Sequence, residues 1–299
     1  MRVASLDCGT NTMLLLIADI DGDEIEILED QERIVRLGEG LDATGLLSPA
    51  AIVRGRAALA EYIELIRKHE CAHVLGVGTE AIRRAENGHL FVNEATSMLG
   101  RIGGRFSVIS GKREAEICWR ATSHAFPALS DTHTVMDIGG GSTEIIVGDK
   151  RIESAVSLPI GSVRLTERLI KSDPPTPQER DELRETIDAA LASLTPLEPE
   201  LVGIAGTVTN LAKMVGKSHG DWLSYDEVQT LLEKLAHSTV DERRKLSGLD
   251  ALRADVIFAG AMILERVMNR AHSTRCLISN RGVRWGLLYE VLSPPSSRN

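Results

Sequence analysis

The chain has 299 residues, of which 43% are apolar and 26% are charged, and its net charge is −9. This apolar fraction can build hydrophobic cores, which excludes a largely disordered chain. The acidic balance disfavours a broad nucleic-acid-binding surface. The longest apolar run, residues 256–264, is far shorter than the roughly 20 residues of a membrane span.

Targeting features are also missing from the sequence pattern. Asp7 interrupts the N-terminal apolar stretch, so no secretory signal is expected. The four cysteines are scattered along the chain without metal-ligand spacing, which predicts reduced thiols and a cytoplasmic protein.

The first third of the chain alternates strand and helix patterns. Apolar strands are predicted at 2–7 and 13–20, with a third strand at 24–36. A helix begins at Ser48-Pro49, because serine is a favoured N-cap and proline is favoured in the first turn. Two short strands and a helix follow, at 74–77, 106–109 and about 112–124.

The second part of the chain repeats this plan. It predicts strands at 134–138, 144–147, 152–157, 201–205 and 276–279, and helices from near Ser162, at 178–194 and from about 283. This alternation predicts an α/β protein, and the length suggests two domains. We place them at 1–124 and 125–299, and the final helix is a candidate to cross back onto the first domain.

An internal repeat supports that division. The segment that begins at Asp7 matches the one that begins at Asp137, 130 residues later, and each has a strand, an Asp-x-Gly loop and a second strand. The pattern predicts a duplicated domain pair whose two loops face one cleft. The alternative is coincidence between two common loops.

The loops carry residues suited to phosphate. Glycine lets backbone N–H groups approach a ligand, and successive N–H groups in a turn form an anion site. The candidate phosphate-binding residues are Gly9, Thr10, Asn11, Thr12, Gly139, Gly140, Gly141, Ser142 and Thr143. The alternative is a pair of plain tight hairpins.

Three carboxylates flank these loops. Asp7, Asp137 and Glu144 should repel a phosphate unless a divalent cation lies between them, and Mg²⁺ bridges carboxylates to phosphates in this way. They are candidate Mg²⁺ ligands. The alternative is that they cap turns through their own side chains.

Taken together, the two loops resemble those of the exopolyphosphatase/guanosine pentaphosphate phosphohydrolase (Ppx/GppA) family. Further stretches at the right spacings are similar to that family, namely 78–87, 109–115, Gly206-Thr207, 254–256 and 282–286. The resemblance covers nearly the whole chain. It implies two duplicated ribonuclease H-like domains, of the actin, Hsp70 and acetate-kinase type, around an interdomain cleft.

The resemblance also implies roles for individual residues. Glu114 matches the catalytic glutamate that activates water, and Arg83 matches an arginine that contacts phosphate. Gly206 and Thr207 join the phosphate-binding set. One departure is Arg113, which stands where the family has a glutamate and leaves the substrate preference open.

The predicted function is that of a Mg²⁺-dependent exopolyphosphatase, which releases terminal orthophosphate from inorganic polyphosphate. The alternatives are hydrolysis of guanosine pentaphosphate or a nucleoside triphosphate, a catalytically weak nucleotide- or alarmone-binding regulator, and a kinase of the same superfamily. The expected partners are polyphosphate or a nucleotide such as (p)ppGpp and a second copy of the chain, with no nucleic acid and no membrane.

Overall fold

The structure, a computed structural model, describes residues 1–22, 24–129 and 131–292. Its strands are β1 (Arg2–Cys8), β2 (Thr12–Asp21), β3 (Glu24–Ile34), β4 (His73–Gly78), β5 (Arg105–Val108), β6 (His133–Ile138), β7 (Thr143–Gly148), β8 (Ile152–Leu158), β9 (Leu201–Ile204), β10 (Trp222–Ser224) and β11 (Arg275–Ile278). None of the helices in these ranges is long and apolar enough to cross a membrane.

The α-helices are numbered in chain order. They are α1 (Leu41–Thr44), α2 (Pro49–Lys68), α3 (Glu80–Arg84), α4 (Gly88–Gly100), α5 (Gly111–Ala125), α6 (Ser162–Leu169), α7 (Pro177–Leu191), α8 (Ala205–Met214), α9 (Tyr225–Ala236), α10 (Val240–Arg243), α11 (Ile257–Arg270) and α12 (Val283–Leu292). The predicted N-cap of α2 is confirmed, because the Ser48 side chain accepts a hydrogen bond from the amide of Ala51.

The chain divides into two compact units. The first comprises Met1–Ala121 together with the chain from Val283 onward, and the second comprises Thr122–Gly282. This division differs from the predicted ranges, 1–124 and 125–299, chiefly in the last helix. The reason is that apolar side chains of α12 pack with residues of β1 and β2 in one buried cluster.

Each unit is built on one mixed sheet. The first sheet has the order β3-β2-β1-β4-β5, and the second has the order β10-β11-β9-β6-β7-β8. In both, three antiparallel strands continue into parallel ones. The core of the first unit lies between its sheet and helices such as α2 and α4, and the core of the second surrounds α11.

The two sheets repeat one plan. Strands β8-β7-β6-β9-β11 of the second sheet follow the order of the five strands of the first, and β10 is an addition. Asp7 pairs with Leu14, and Asp137 pairs with Glu144 in the same register. The predicted duplication is therefore confirmed by the matching strand order and register of the two sheets. The expected interdomain cleft stays a prediction.

Some boundaries differ from the prediction. The strand predicted at 201–205 ends at Ile204, since Ala205 adopts a left-handed conformation with φ of 68° and begins α8. Strand β10 and helix α4 were not predicted.

Candidate active site

Loop 1, residues 9–12, joins β1 to β2. The amide of Gly9 donates to the carbonyl of Thr12 at 2.9 Å, which closes the turn. A Cβ atom at position 9 would lie 3.2 Å from that carbonyl oxygen, a tight contact that favours glycine. The carbonyl of Asn11 accepts from the amides of Val35 and Arg36, both at 2.9 Å. Backbone carbonyls therefore fix the loop.

The remaining donors of loop 1 suit an anion. Within the described ranges, the amide N–H groups of Thr10 and Asn11 have no acceptor, and neither has Nδ2 of Asn11. Asn11 is only 5% exposed, so its side-chain donor is a buried polar group that calls for a partner. The Thr10 hydroxyl differs, because it donates to Oε2 of Glu80 at 3.2 Å. Backbone and amide N–H groups of this kind bind phosphate oxygens.

Arg83 and Glu114 lie in contact at the same end of the first sheet. Strands β1, β4 and β5 run parallel, so their carboxyl ends meet where α3 and α5 begin. Nη1 of Arg83 donates to the carbonyl of Ile109 at 2.6 Å and lies 3.4 Å from Oε2 of Glu114. Glu114 is 7% exposed. The structure thus brings together the two residues predicted to act in catalysis.

Arg113 is held by acidic neighbours. Its guanidinium contacts Oε2 of Glu116 at 3.2 Å and Oε1 of Glu290 on α12 at 2.5 Å. The positive charge at this position, where the family pattern has a glutamate, is therefore paired with carboxylates on α5 and α12.

Loop 2, residues 139–142, has the same turn as loop 1. The amide of Gly139 donates to the carbonyl of Ser142 at 3.0 Å. The carbonyl of Gly139 accepts from the amide of Ser162 at 3.0 Å, and the carbonyl of Gly140 accepts from two further amides of α6. Gly161 permits this approach, because a Cβ there would lie 2.4 Å from the oxygen of Gly140. The start of α6 thus binds the carbonyls of the loop.

The amides of loop 2 form a nest. In the part of the chain that the structure describes, the N–H groups of Gly140, Gly141 and Ser142 have no acceptor. Three successive amide donors in a turn make an anion-binding concavity. The two hydroxyls predicted to bind phosphate donate elsewhere, that of Ser142 to Glu144 at 2.9 Å and that of Thr143 to a backbone carbonyl at 2.7 Å. In the described residues, the donors of this loop that lack an acceptor are therefore those of its backbone.

Asp137 on β6 and Glu144 on β7 lie side by side. They are direct register partners, so their side chains lie on one face of the sheet. Asp137 is 8% exposed and Glu144 is 1% exposed. Like charges in such a pair are unfavourable, and a cation would offset their repulsion. In the first unit the partner of Asp7 is the apolar Leu14.

The donor set fits a divalent cation of the magnesium type. No group of three or more His, Cys, Asp or Glu side chains in residues 1–22, 24–129 and 131–292 is arranged to hold a metal. Mg²⁺ is commonly held by one or two carboxylates together with phosphate oxygens and water. The pair of Asp137 and Glu144 beside an anion nest matches that mode of binding.

Gly206 and Thr207 lie where β9 leads into α8. The Thr207 hydroxyl donates to the carbonyl of Ile138 at 3.0 Å, so it links α8 to the strand that precedes loop 2. A Cβ at position 206 would lie 2.4 Å from the guanidinium of Arg253. This buried arginine therefore packs directly on Gly206.

Three residues near these loops were missed by the sequence analysis. Glu80 accepts from Thr10, Arg253 lies on Gly206, and Ser157 donates to Glu144 at 2.6 Å. The first two are distant in sequence from their partners and carry no local signal. Ser157 could not be found by counting back from the turn between β7 and β8, because the register shifts by one residue between Val147 and Gly148.

The model of the Ppx/GppA phosphatase family matches residues 16–294 of the chain. The chain belongs to this family. Its resemblance to Ppx/GppA proteins, stated above from motifs, is thereby confirmed, and so is the prediction of an enzyme that hydrolyses phosphoanhydrides.

Two relatives illustrate the family. The chain is 37% identical to exopolyphosphatase 2 of Mycobacterium tuberculosis over 286 residues, which cover 89% of each chain. It is 29% identical to guanosine-5′-triphosphate,3′-diphosphate pyrophosphatase of Photobacterium profundum, over 97% of this chain and 59% of that protein.

Solved structures of family members share the fold. An exopolyphosphatase from Cytophaga hutchinsonii superposes with a TM-score of 0.90 at 29% identity, and 98% of each chain is covered. The Ppx/GppA protein of Aquifex aeolicus gives a TM-score of 0.82 at 32% identity over 99% of each chain. The predicted two-domain fold of the ribonuclease H and actin type is confirmed.

Proposed function

We propose that this family member is a Mg²⁺-dependent exopolyphosphatase that removes terminal orthophosphate from inorganic polyphosphate. The observation that carries the proposal is the nest of loop 2, three successive amide donors without an acceptor in the described residues, beside the facing carboxylates Asp137 and Glu144. Amide donors suit phosphate oxygens, and the carboxylates suit the cation that accompanies them.

The residues of the first unit would carry the chemistry. Arg83 would bind oxygens of the terminal phosphate, since a guanidinium offers paired donors in a plane. Glu114, in contact with Arg83, would accept a proton from the attacking water. The water oxygen then bonds to the terminal phosphorus as the bridging P–O bond breaks. The shortened polyphosphate and orthophosphate leave.

Asp137 and Glu144 would hold the divalent cation. When bound, Mg²⁺ neutralises negative charge on phosphate oxygens and so favours phosphoryl transfer. The amides of loop 2 would offer hydrogen-bond donors to phosphate oxygens, and those of loop 1 offer donors of the same kind.

A substrate panel tests this proposal. Orthophosphate release is measured with polyphosphates of several lengths, guanosine pentaphosphate and ATP, each with Mg²⁺ and with a chelator. Polyphosphate should be the best substrate, and its hydrolysis should stop without a divalent cation. Tight nucleotide binding without turnover would instead indicate a regulator, and transfer to an acceptor in preference to water would indicate a kinase.

The second candidate is hydrolysis of guanosine pentaphosphate. It is favoured by the 29% identity to guanosine-5′-triphosphate,3′-diphosphate pyrophosphatase, whereas the 37% identity to exopolyphosphatase 2 favours polyphosphate. A higher kcat/KM for guanosine pentaphosphate than for every polyphosphate would decide for the second candidate.

A homodimer and a cytoplasmic location belong to the proposal as well. Light scattering on the purified protein tests the first, and fractionation of the source cells tests the second.

A further inference from the structure

The row that holds Asp137 and Glu144 has a third member. Glu144 pairs with Asp137 on one side and with Ser157 of β8 on the other. Direct partners across antiparallel strands project from the same face of a sheet. The three side chains therefore form one polar row across β6, β7 and β8, next to loop 2.

Two hydroxyls of this site bind the same carboxylate oxygen. Ser157 Oγ donates to Oε1 of Glu144 at 2.6 Å, and Ser142 Oγ donates to Oε1 at 2.9 Å. The terminal torsion of a glutamate is otherwise soft, with broad and nearly equivalent orientations. Because both hydroxyls bind Oε1, they fix the orientation of the carboxylate, with Oε1 toward the serines and Oε2 away from them.

The first unit provides an internal comparison. Its corresponding row consists of Asp7, Leu14 and Glu32, and it has no serine at the third place. The serine and the central carboxylate thus occur together in the second unit, where the predicted cation-binding pair lies. This pairing indicates that the serine serves the carboxylate and is not a general feature of the repeated fold.

We infer that Ser157 is a positioning residue, which orients Glu144 toward the divalent cation and thereby supports phosphate release. The inference rests on the proposed function. Ser157 is an exposed residue of the edge strand β8 and is not part of the packed core. It therefore acts on the site through its hydrogen bond to Glu144. Partners that orient a metal ligand typically change metal affinity or activity by about 10- to 100-fold when removed.

The test compares Ser157→Ala with Ser157→Thr and with a control, Ser154→Ala on the same strand. Ser157→Ala should raise the Mg²⁺ concentration for half-maximal activity about tenfold. It should weaken Mn²⁺ binding, measured by electron paramagnetic resonance without substrate, by a similar factor. KM for polyphosphate at saturating Mg²⁺ should change little. Ser157→Thr, which keeps the hydroxyl, should restore both readouts, and Ser154→Ala should match the wild type.

A double-mutant comparison separates orientation from general damage. In a Glu144→Ala background, Ser157→Ala should leave Mn²⁺ binding unchanged, because the hydroxyl then has no carboxylate to orient. An active wild type whose Ser157→Ala variant keeps its Mn²⁺ affinity and Mg²⁺ dependence would overturn this inference alone. A wild type that hydrolyses no member of the substrate panel would overturn the proposed function, and this inference with it.

Discussion

Glu114 is the residue whose substitution tests the mechanism most directly. Replacing it by glutamine keeps its size and removes its capacity to accept a proton. We expect kcat for polyphosphate to fall by about 100-fold or more, with a smaller change in KM. Steady-state phosphate release at saturating Mg²⁺ measures both constants.

A neighbour on the same helix is the control for that substitution. Glu116 contacts Arg113 near the surface and has no part in the proposed mechanism, so Glu116→Gln should keep kcat within about twofold of wild type. Equal activity of the Glu114→Gln variant and the wild type would remove Glu114 from its proposed role.

Arg243 provides a residue-scale test of stability. Its side chain is 2% exposed, and the guanidinium donates to the carbonyl of Leu235 at 2.7 Å and lies 5.5 Å from the ring centre of Phe258. Arg243→Met would remove the guanidinium's hydrogen bonds to buried carbonyls and should lower the free energy of unfolding by about 3 kcal/mol. Arg244→Met, at an exposed ion pair, should cost less than about 1 kcal/mol. Urea unfolding measures both, and similar losses in the two variants would contradict the prediction.

At the scale of single residues, the sequence predicts site residues best where they lie close together along the chain. Gly9, Gly139 and their neighbours were predicted because each loop is a continuous segment. The hydrogen bond of the Thr143 hydroxyl to the carbonyl of Ile160 could not be predicted, since it depends on a more distant segment that the fold brings within reach. The bond of Ser142 to Glu144, by contrast, lies within one short segment.

At the scale of elements, the start of helix α7 makes a contribution to stability that depends on pH. Glu179 accepts from the amides of Thr176 and Lys171 at 2.8 Å and from that of Ser172 at 3.0 Å. Burial tends to raise the pKa of this carboxyl, but the hydrogen bonds outweigh it and lower the pKa to about 2. Because the folded-state pKa lies below the ordinary value of 4.5, Glu179 stabilises the fold above about pH 4.5. That contribution is lost as the pH falls toward 2.

We therefore expect Glu179→Gln to reduce stability by about 1 kcal/mol at pH 7 and by less at pH 3.5. Urea unfolding at several pH values measures the difference, and Glu182→Gln on the same helix is the control. A loss that stays constant from pH 7 to pH 3.5 would contradict the assigned role of the carboxylate.

Elements with strong local signals were predicted, and weakly marked ones were not. Helix α2 has a serine cap, a proline in its first turn and an apolar face, and all three are visible in sequence. Helix α4 buries Phe91, Ala95 and Leu99 at helical spacing, but a glycine stands at each of its ends. Strand β10 has three residues and exists because β11 offers it a partner, which no local pattern encodes.

At the scale of the whole molecule, α12 is required by the first unit. Trp285, Leu288 and Tyr289 share a buried cluster with Val3 and Leu16, and each such burial contributes about 1.5–3 kcal/mol. A chain ended after Gly282 should therefore lose protection of β1 and β2 from hydrogen exchange. The amides of β6 and β7 should exchange as before.

A chain ended after Leu292 is the control for this truncation, and it should match the full chain. Unchanged protection of β1 and β2 in the shorter chain would show that α12 is dispensable. The internal repeat made the two units predictable from sequence. The position of α12 in the first unit was harder to predict, because it depends on contacts between residues far apart in sequence. One of these is the hydrogen bond from Ser5 Oγ to the carbonyl of Arg284, at 2.6 Å.

The first unit is assembled from both ends of the chain, and this has a consequence for biosynthesis. A ribosome completes β1 to β5 early, but the helix that covers one face of that sheet is synthesised only after the whole second unit. The second unit is one uninterrupted segment, and its core contains no residue that follows β11. The first unit therefore cannot complete its core before the whole second unit has been synthesised, although its strands are made first.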